Sequence, residues 1–124
     1  MTQFLQLYIS ESRRAARSVE VADATTIGRD SDNDIVLDEM TVSRCHALLY
    51  MRAGHVVIMD LESANGTFVN GVQVQPDAPV GLADGDIIRL GQVSARYSVR
   101  RADHAAISAY RAACNSLLEG SVLA

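Results

Sequence analysis

Lysine is absent from this chain: all eleven basic residues are arginine. Every cationic contact it makes is therefore a planar guanidinium, able to present two parallel donors to one anion. Fifteen acidic residues outnumber them and leave a formal charge of -4, which argues against a general grip on nucleic acid. Cysteine is nearly absent too. Cys45 and Cys114 are far apart and lack metal-ligand spacing, so they read as reduced, buried thiols of a cytoplasmic chain. No apolar run approaches the roughly 18 residues that span a bilayer. No charged-then-apolar leader opens the chain. Internal repeats and low-complexity segments are missing as well. These absences imply a cytoplasmic protein with no membrane partner.

What is present suits one globular domain. The chain has 124 residues, 48% hydrophobic and 21% charged, enough for a core without staples. Short runs of strand formers recur at near-regular spacing. They begin with Phe4-Leu5-Gln6-Leu7-Tyr8-Ile9 and end with the alternating run Val93 to Val99. Turn signals separate them. Ala53-Gly54 joins two runs, and Asn70-Gly71 supplies the positive φ angles of a type I′ hairpin. Pro76 and Pro79 punctuate a loop, and Asp84-Gly85-Asp86 marks another turn. The pattern predicts an all-β fold, an antiparallel sandwich of about eleven strands over residues 1–102. Residues 103–124 change character and read as a C-terminal α-helix. Asp103 is the N-cap, Gly120 the stop, and Ile107, Tyr110, Cys114 and Leu117 or Leu118 recur on one stripe.

Three short polar segments between Thr26 and Asn70 carry the chemistry. They are Ile27-Gly28-Arg29-Asp30, Thr41-Val42-Ser43-Arg44-Cys45-His46, and Ser63-Ala64-Asn65-Gly66-Thr67-Phe68-Val69-Asn70-Gly71. Each falls where a strand starts or stops, and loops clustered at one end of a sandwich commonly build binding sites. Arginine, serine, threonine and two asparagines on such loops suit an anion held beside a peptide backbone.

In order and spacing these residues resemble the forkhead-associated (FHA) domain. The resemblance rests on Gly28-Arg29, Asp34-Ile35-Val36-Leu37, Val42-Ser43-Arg44-Cys45-His46-Ala47, Asp60-Leu61, Ser63, Asn65-Gly66-Thr67 and Val69-Asn70-Gly71. Leu82, Asp84-Gly85-Asp86 and Ile88-Leu90-Gly91 extend it, so that it covers about residues 3 to 101. It implies an eleven-stranded sandwich that binds phosphothreonine in partner proteins. It implies no catalysis, and no metal or cofactor. A phosphothreonine carries about -1.5 to -2 charge and three strong acceptor oxygens. By resemblance, Arg29 makes a forked contact to it and Ser43 gives a hydroxyl. Arg44 adds charge, and Asn65 bonds the bound peptide's backbone. Asn70 is a weaker backbone contact. Gly28, His46, Gly66 and Thr67 support the loops. The implied partner is a phosphothreonine-containing protein, a Ser/Thr kinase or its substrate. One position departs from the family. Ala64 stands where a serine or threonine often helps hold the phosphate. The lost hydroxyl costs about 1 kcal/mol, and the Ala64 N–H remains.

Other readings stand beside these. Arg29 suits an ordinary surface arginine at a strand end, Ser43 a turn serine, and Asn65 and Asn70 pure turn formers before glycine. The Asp30-to-Asp34 cluster lacks the glycine and glutamate of a calcium loop, having Ile35 and Thr41 there. Ser43, His46 and Asp60 suggest a triad, but no Gly-x-Ser-x-Gly elbow surrounds the serine. Cys45 is expected in the core, alternating away from Arg44 and His46 on entry to a strand. A functional alternative is a phosphate-independent scaffold or oligomerisation domain, using a sandwich face or the 103–119 helix.

Overall fold

The computed structural model describes residues 2–11 and 14–102. The expected terminal helix, the domain split at residue 103 and Cys114 lie outside them. The described residues form eleven strands in two sheets. Strands β1 (Thr2–Ser10), β2 (Arg17–Glu20), β7 (Thr67–Val69), β8 (Val72–Gln73), β10 (Ile87–Leu90) and β11 (Val93–Ala102) build the larger sheet, in the order β2-β1-β11-β10-β7-β8. Strands β3 (Thr25–Gly28), β4 (Ile35–Val36), β5 (Ala47–Arg52), β6 (His55–Asp60) and β9 (Val80–Gly81) build the smaller one, in the order β4-β3-β5-β6-β9.

Alternation along the strands fills the space between the sheets. Leu7, Ile9, Ile88, Leu90, Val93, Ala95 and Tyr97 point inward from the larger sheet. Ile27, Ala47, Leu49, Val56 and Ile58 meet them from the smaller. Burying one such aliphatic side chain contributes about 1.5–3 kcal/mol, so a one-residue slip in any long strand would expose several of them. Register is also held by the hairpins. Ala53 and Gly54 have φ of 51° and 80°, and Asn70 and Gly71 have 51° and 83°, as type I′ turns require.

One pairing departs from the antiparallel expectation. Strand β4 runs parallel to β3, with Ile27 opposite Ile35 and Gly28 opposite Val36. Parallel neighbours normally need a crossover of about a dozen residues. Here a short loop suffices because only two residues pair. The Asp34 carboxylate accepts from both the N–H and the hydroxyl of Thr26, at 2.9 and 3.1 Å. That clasp brings the chain back alongside β3 without a hairpin.

Chain direction sorts the two ends of the sandwich. Strand β5 starts and β6 finishes beside the polar segments, and their hairpin at Ala53-Gly54 lies at the other end. Strand β11 leaves the polar end after Gly91-Gln92 and runs to the far end, where Ala102 pairs with Thr2.

Candidate functional site

The polar segments meet at one end of the sandwich because backbone bonds stitch them together. The Arg29 N–H donates to Ser43 O at 2.9 Å, and the Asp30 N–H to Arg44 O at 3.2 Å. The Asn33 amide donates to both Asp30 O (2.9 Å) and Arg44 O (2.7 Å). Gly28 leaves room for this approach. A Cβ placed on it would lie 2.1 Å from the Arg44 carbonyl oxygen.

Beneath the loops sits a satisfied polar layer. His46 is wholly buried, as is Thr67, and Asp60 is 5% exposed. The Ser43 N–H donates to His46 Nδ1 at 3.0 Å, so that nitrogen carries no proton. The ring's proton therefore sits on Nε2 and is donated to Gly66 O at 3.0 Å. Desolvation by burial lowers the His46 pKa below 6.5, opposed by the Gly66 bond and the Asp60 charge. The imidazole is thus neutral, and both its nitrogens are occupied. It is no base for the Ser43 hydroxyl, and the triad geometry is not formed. The Asp60 carboxylate accepts instead from Thr67 Oγ1 (2.7 Å) and from the Ser63 hydroxyl and N–H. Gly66, at φ 88°, takes a backbone conformation that L side chains rarely adopt. His46 and Thr67 bond within this layer, and Gly28 and Gly66 stand where a side chain would collide with or strain the loops.

Above that layer the outward-facing groups converge. Arg29 donates Nε to Val42 O at 3.0 Å, which aims the rest of its guanidinium outward. Arg44 is exposed, and its guanidinium has no hydrogen-bond or ion-pair partner among the described residues. Together with Asp30 and Ser31 these two arginines line an open cleft of about 300 Å³. The Ser43 hydroxyl accepts from the Ala64 N–H at 2.9 Å, which leaves its own proton to donate. The Ala64 N–H expected to remain open is therefore spent on aiming Ser43, because the two loops touch there. Asn65 donates Nδ2 to Thr41 O at 2.8 Å and keeps its side-chain oxygen available.

Two placements differ from the sequence reading. Asn70 stands apart from this cluster: its amide donates to Asp86 Oδ1 at 2.9 Å, and its oxygen accepts from the Ile87 N–H at 2.9 Å. Both ends of the side chain thus tie the β7–β8 hairpin to β10. Cys45 is exposed, not buried. Strand β5 begins only at Ala47, so strand alternation does not yet govern Cys45. Asn33 and Thr41 were missed as participants. The hydroxyl of Thr41 accepts from the Gln92 N–H, and its backbone packs against Gly91. Those contacts join positions 51 and 50 residues apart, which local spacing does not reveal.

A model of the FHA domain family matches residues 25–91. This chain belongs to the FHA domain family. Among curated proteins, it is 49% identical over 70 residues to an ABC transporter ATP-binding/permease protein of Mycobacterium tuberculosis, covering 56% of this chain and 8% of that one. It is 44% identical over 68 residues to the glycogen accumulation regulator GarA of Mycolicibacterium smegmatis, covering 55% of this chain and 41% of the regulator. Among solved structures, Mycobacterium tuberculosis EmbR in complex with a low-affinity phosphopeptide aligns at TM-score 0.70 and 36% identity, over 82% of this chain and 26% of that one. Each of these proteins thus extends well beyond the segment it shares with this chain. Within the FHA domain here, no helix among the described residues is long and apolar enough to cross a membrane.

Proposed function

We propose that this FHA domain binds a phosphothreonine-containing segment of a partner protein in Ser/Thr kinase signalling, with the cleft between Arg29 and Arg44 as the phosphate seat. The observation that carries this is the pairing of two outward guanidinium groups with a serine hydroxyl whose acceptor side is already satisfied. Such a set has donors left over and no acid/base pair, which suits holding an anion and not transforming a substrate. Arg29 gives the fork, Ser43 the hydroxyl and Arg44 additional charge. The Asn65 oxygen accepts from the peptide backbone beside the phosphothreonine and sets its register. Arg44 offsets the hydroxyl that Ala64 lacks. Asn70 acts on the ligand only through the hairpin it holds. The partner is a Ser/Thr kinase or its substrate, as is common for FHA domains.

Calorimetric titration with a degenerate phosphothreonine peptide pool, beside the same pool unphosphorylated, tests this. Saturable binding of the phosphorylated pool alone is expected. Arg29→Ala weakens that binding by at least about thirtyfold, as for truncation of one partner of a close interfacial charge pair. Binding of neither pool, or equal binding by the mutant, refutes the assignment and favours a phosphate-independent scaffold.

A further inference from the structure

The cleft between Arg29 and Arg44 also carries a carboxylate, which holding a phosphate does not explain. Asp30 lines it together with Ser31 and the two arginines. A carboxylate beside a bound phosphate repels it, yet neither arginine forms an ion pair with Asp30. Among the described residues the Asp30 carboxylate has no hydrogen-bond partner either, and the residue is exposed. Its neighbours on the loop differ. Asp34 is spent on Thr26, and the Asn33 amide on the Asp30 and Arg44 carbonyl oxygens. Backbone bonds fix where Asp30 stands: its N–H donates to Arg44 O, and its carbonyl accepts from Asn33. The residue is thus held in the cleft lining by bonds that leave its charge unused.

Charge in the filled cleft does not balance. Two guanidinium groups and one carboxylate give the lining a charge of about +1, against about -1.5 to -2 on phosphothreonine. A lysine or arginine of the ligand closes that gap and gives Asp30 a partner. Complementarity of this kind acts on specificity more than on bulk affinity. The chain as a whole points the same way, since its formal charge of -4 draws basic segments toward it. The place of Asp30 sets the side. It bonds to Arg44, whereas Asn65 bonds to Thr41, three positions earlier on the same loop. The ligand's cation therefore belongs on the flank of the phosphothreonine away from Asn65. Three residues of an extended peptide span about 10 Å, and a lysine or arginine side chain bridges a distance of that order.

We propose that Asp30 is a specificity-determining residue: it selects phosphothreonine segments that carry a lysine or arginine within three residues of the phosphothreonine, on one flank only. The inference rests on the phosphate seat proposed above and names the class of partner segment that the seat takes. Arg29, Arg44 and Ser43 hold the phosphate, and Asp30 takes the neighbouring cation. A phosphothreonine flanked by acidic residues meets the Asp30 carboxylate as a second repulsion and is rejected.

Calorimetric titration of the full chain with degenerate phosphothreonine peptide pools tests this. Each pool is fixed with lysine or alanine at one position, from three before to three after the phosphothreonine. Lysine on one flank is expected to tighten binding at least about threefold over alanine, as an interfacial ion pair does. Asp30→Asn keeps the backbone bonds and the size of the side chain, and is expected to cut that gain to less than about 1.5-fold. Asp32→Asn changes the chain's charge equally at a residue outside the cleft lining, and is expected to keep the gain. No lysine gain at any position, a gain that survives Asp30→Asn, a gain spread evenly over both flanks, or one lost equally in both variants each overturns the proposal. The last two assign the preference to the field of the whole chain. All four leave phosphate-dependent binding standing. Binding of no phosphorylated pool instead overturns the seat, and this inference with it.

Discussion

Gly28→Ala is a small change that should disable both the fold's polar end and its ligand binding. The added methyl would sit 2.1 Å from the Arg44 carbonyl oxygen and 2.7 Å from the Asn33 amide nitrogen. The amide can rotate away, but the carbonyl is backbone. It has to retreat to at least the 3.4 Å of ordinary contact, and it carries the Arg44 segment with it. Two bonds end on that oxygen, from the Asp30 N–H and the Asn33 amide. The neighbouring Arg29 N–H to Ser43 O bond shares the displacement. Overpacking costs about 1–3 kcal/mol, and each strained neutral hydrogen bond about 0.5–1.5 kcal/mol. Partial relaxation leaves a net loss of about 2–4 kcal/mol. Urea unfolding read by circular dichroism measures it, and an unchanged m-value confirms that the denatured state is not the cause.

The same displacement separates the two guanidinium groups. One charge-assisted bond lost corresponds to about tenfold or more in affinity. Calorimetry with a phosphothreonine peptide is the readout, at a temperature where the variant remains folded. A variant within about 0.5 kcal/mol of the parent, with the same affinity, would refute the reasoning. It would mean that the loop beside Gly28 yields freely and that the two loops are not held in register by this contact.

Two further outcomes follow from the polar layer and the hairpin. His46 has its pKa lowered by burial, so the unfolded state binds its proton first. Its contribution is complete above about pH 6.5 and is lost as pH falls through the window below, at up to about 1.4 kcal/mol per pH unit. Urea midpoints between pH 7.5 and 5 should decline in the parent and decline less in His46→Asn; parallel curves would remove His46 as the source. Asn70→Ala loses bonds to Asp86 and Ile87 and places alanine at φ 51°. It should lower stability by about 1–2 kcal/mol and change phosphopeptide affinity by less than about threefold. A large affinity loss at unchanged stability would make Asn70 a direct ligand contact instead.

The strands were legible because burial on one face imposes alternation and because the hairpins need residues at positive φ. Asn70-Gly71 announces its own turn, and Ala53-Gly54 does so through its glycine. The parallel β3–β4 pair was not legible. It depends on Asp34 reaching Thr26 across a loop, and no periodicity encodes a side-chain clasp of that kind. Cys45 was misplaced for a related reason. Its exposure turns on whether β5 begins at position 45 or at 47, and boundaries are set by tertiary bonds such as His46 N–H to Ile27 O. Arg29, Ser43 and Asn65 could be named from their order and spacing. What each would have left to offer a ligand could not. That depended on Val42 O, the Ala64 N–H and Thr41 O, backbone groups that are the same at every residue.

The division of hydrogen bonds among these groups explains how a loop-built site can be rigid. Had His46 been charged, Nδ1 would carry a proton facing the Ser43 N–H, two donors in opposition, and the serine loop would lose its anchor. Keeping the ring neutral turns the same contact into a bond, and the opposite nitrogen then fixes Gly66. Asp60 does the corresponding work on the other side through Thr67 and Ser63. His46, Asp60 and Thr67 in this layer are each matched, so the loops carry little unsatisfied capacity inward. The surplus points outward: the outer nitrogens of Arg29, the guanidinium of Arg44, the Ser43 proton and the Asn65 oxygen. Because Arg29, Ser43 and Asn65 are each tied to a backbone group before any ligand arrives, binding forfeits little of their side-chain freedom. A short phosphopeptide, with few contacts to offer, gains most from a site organised in this way.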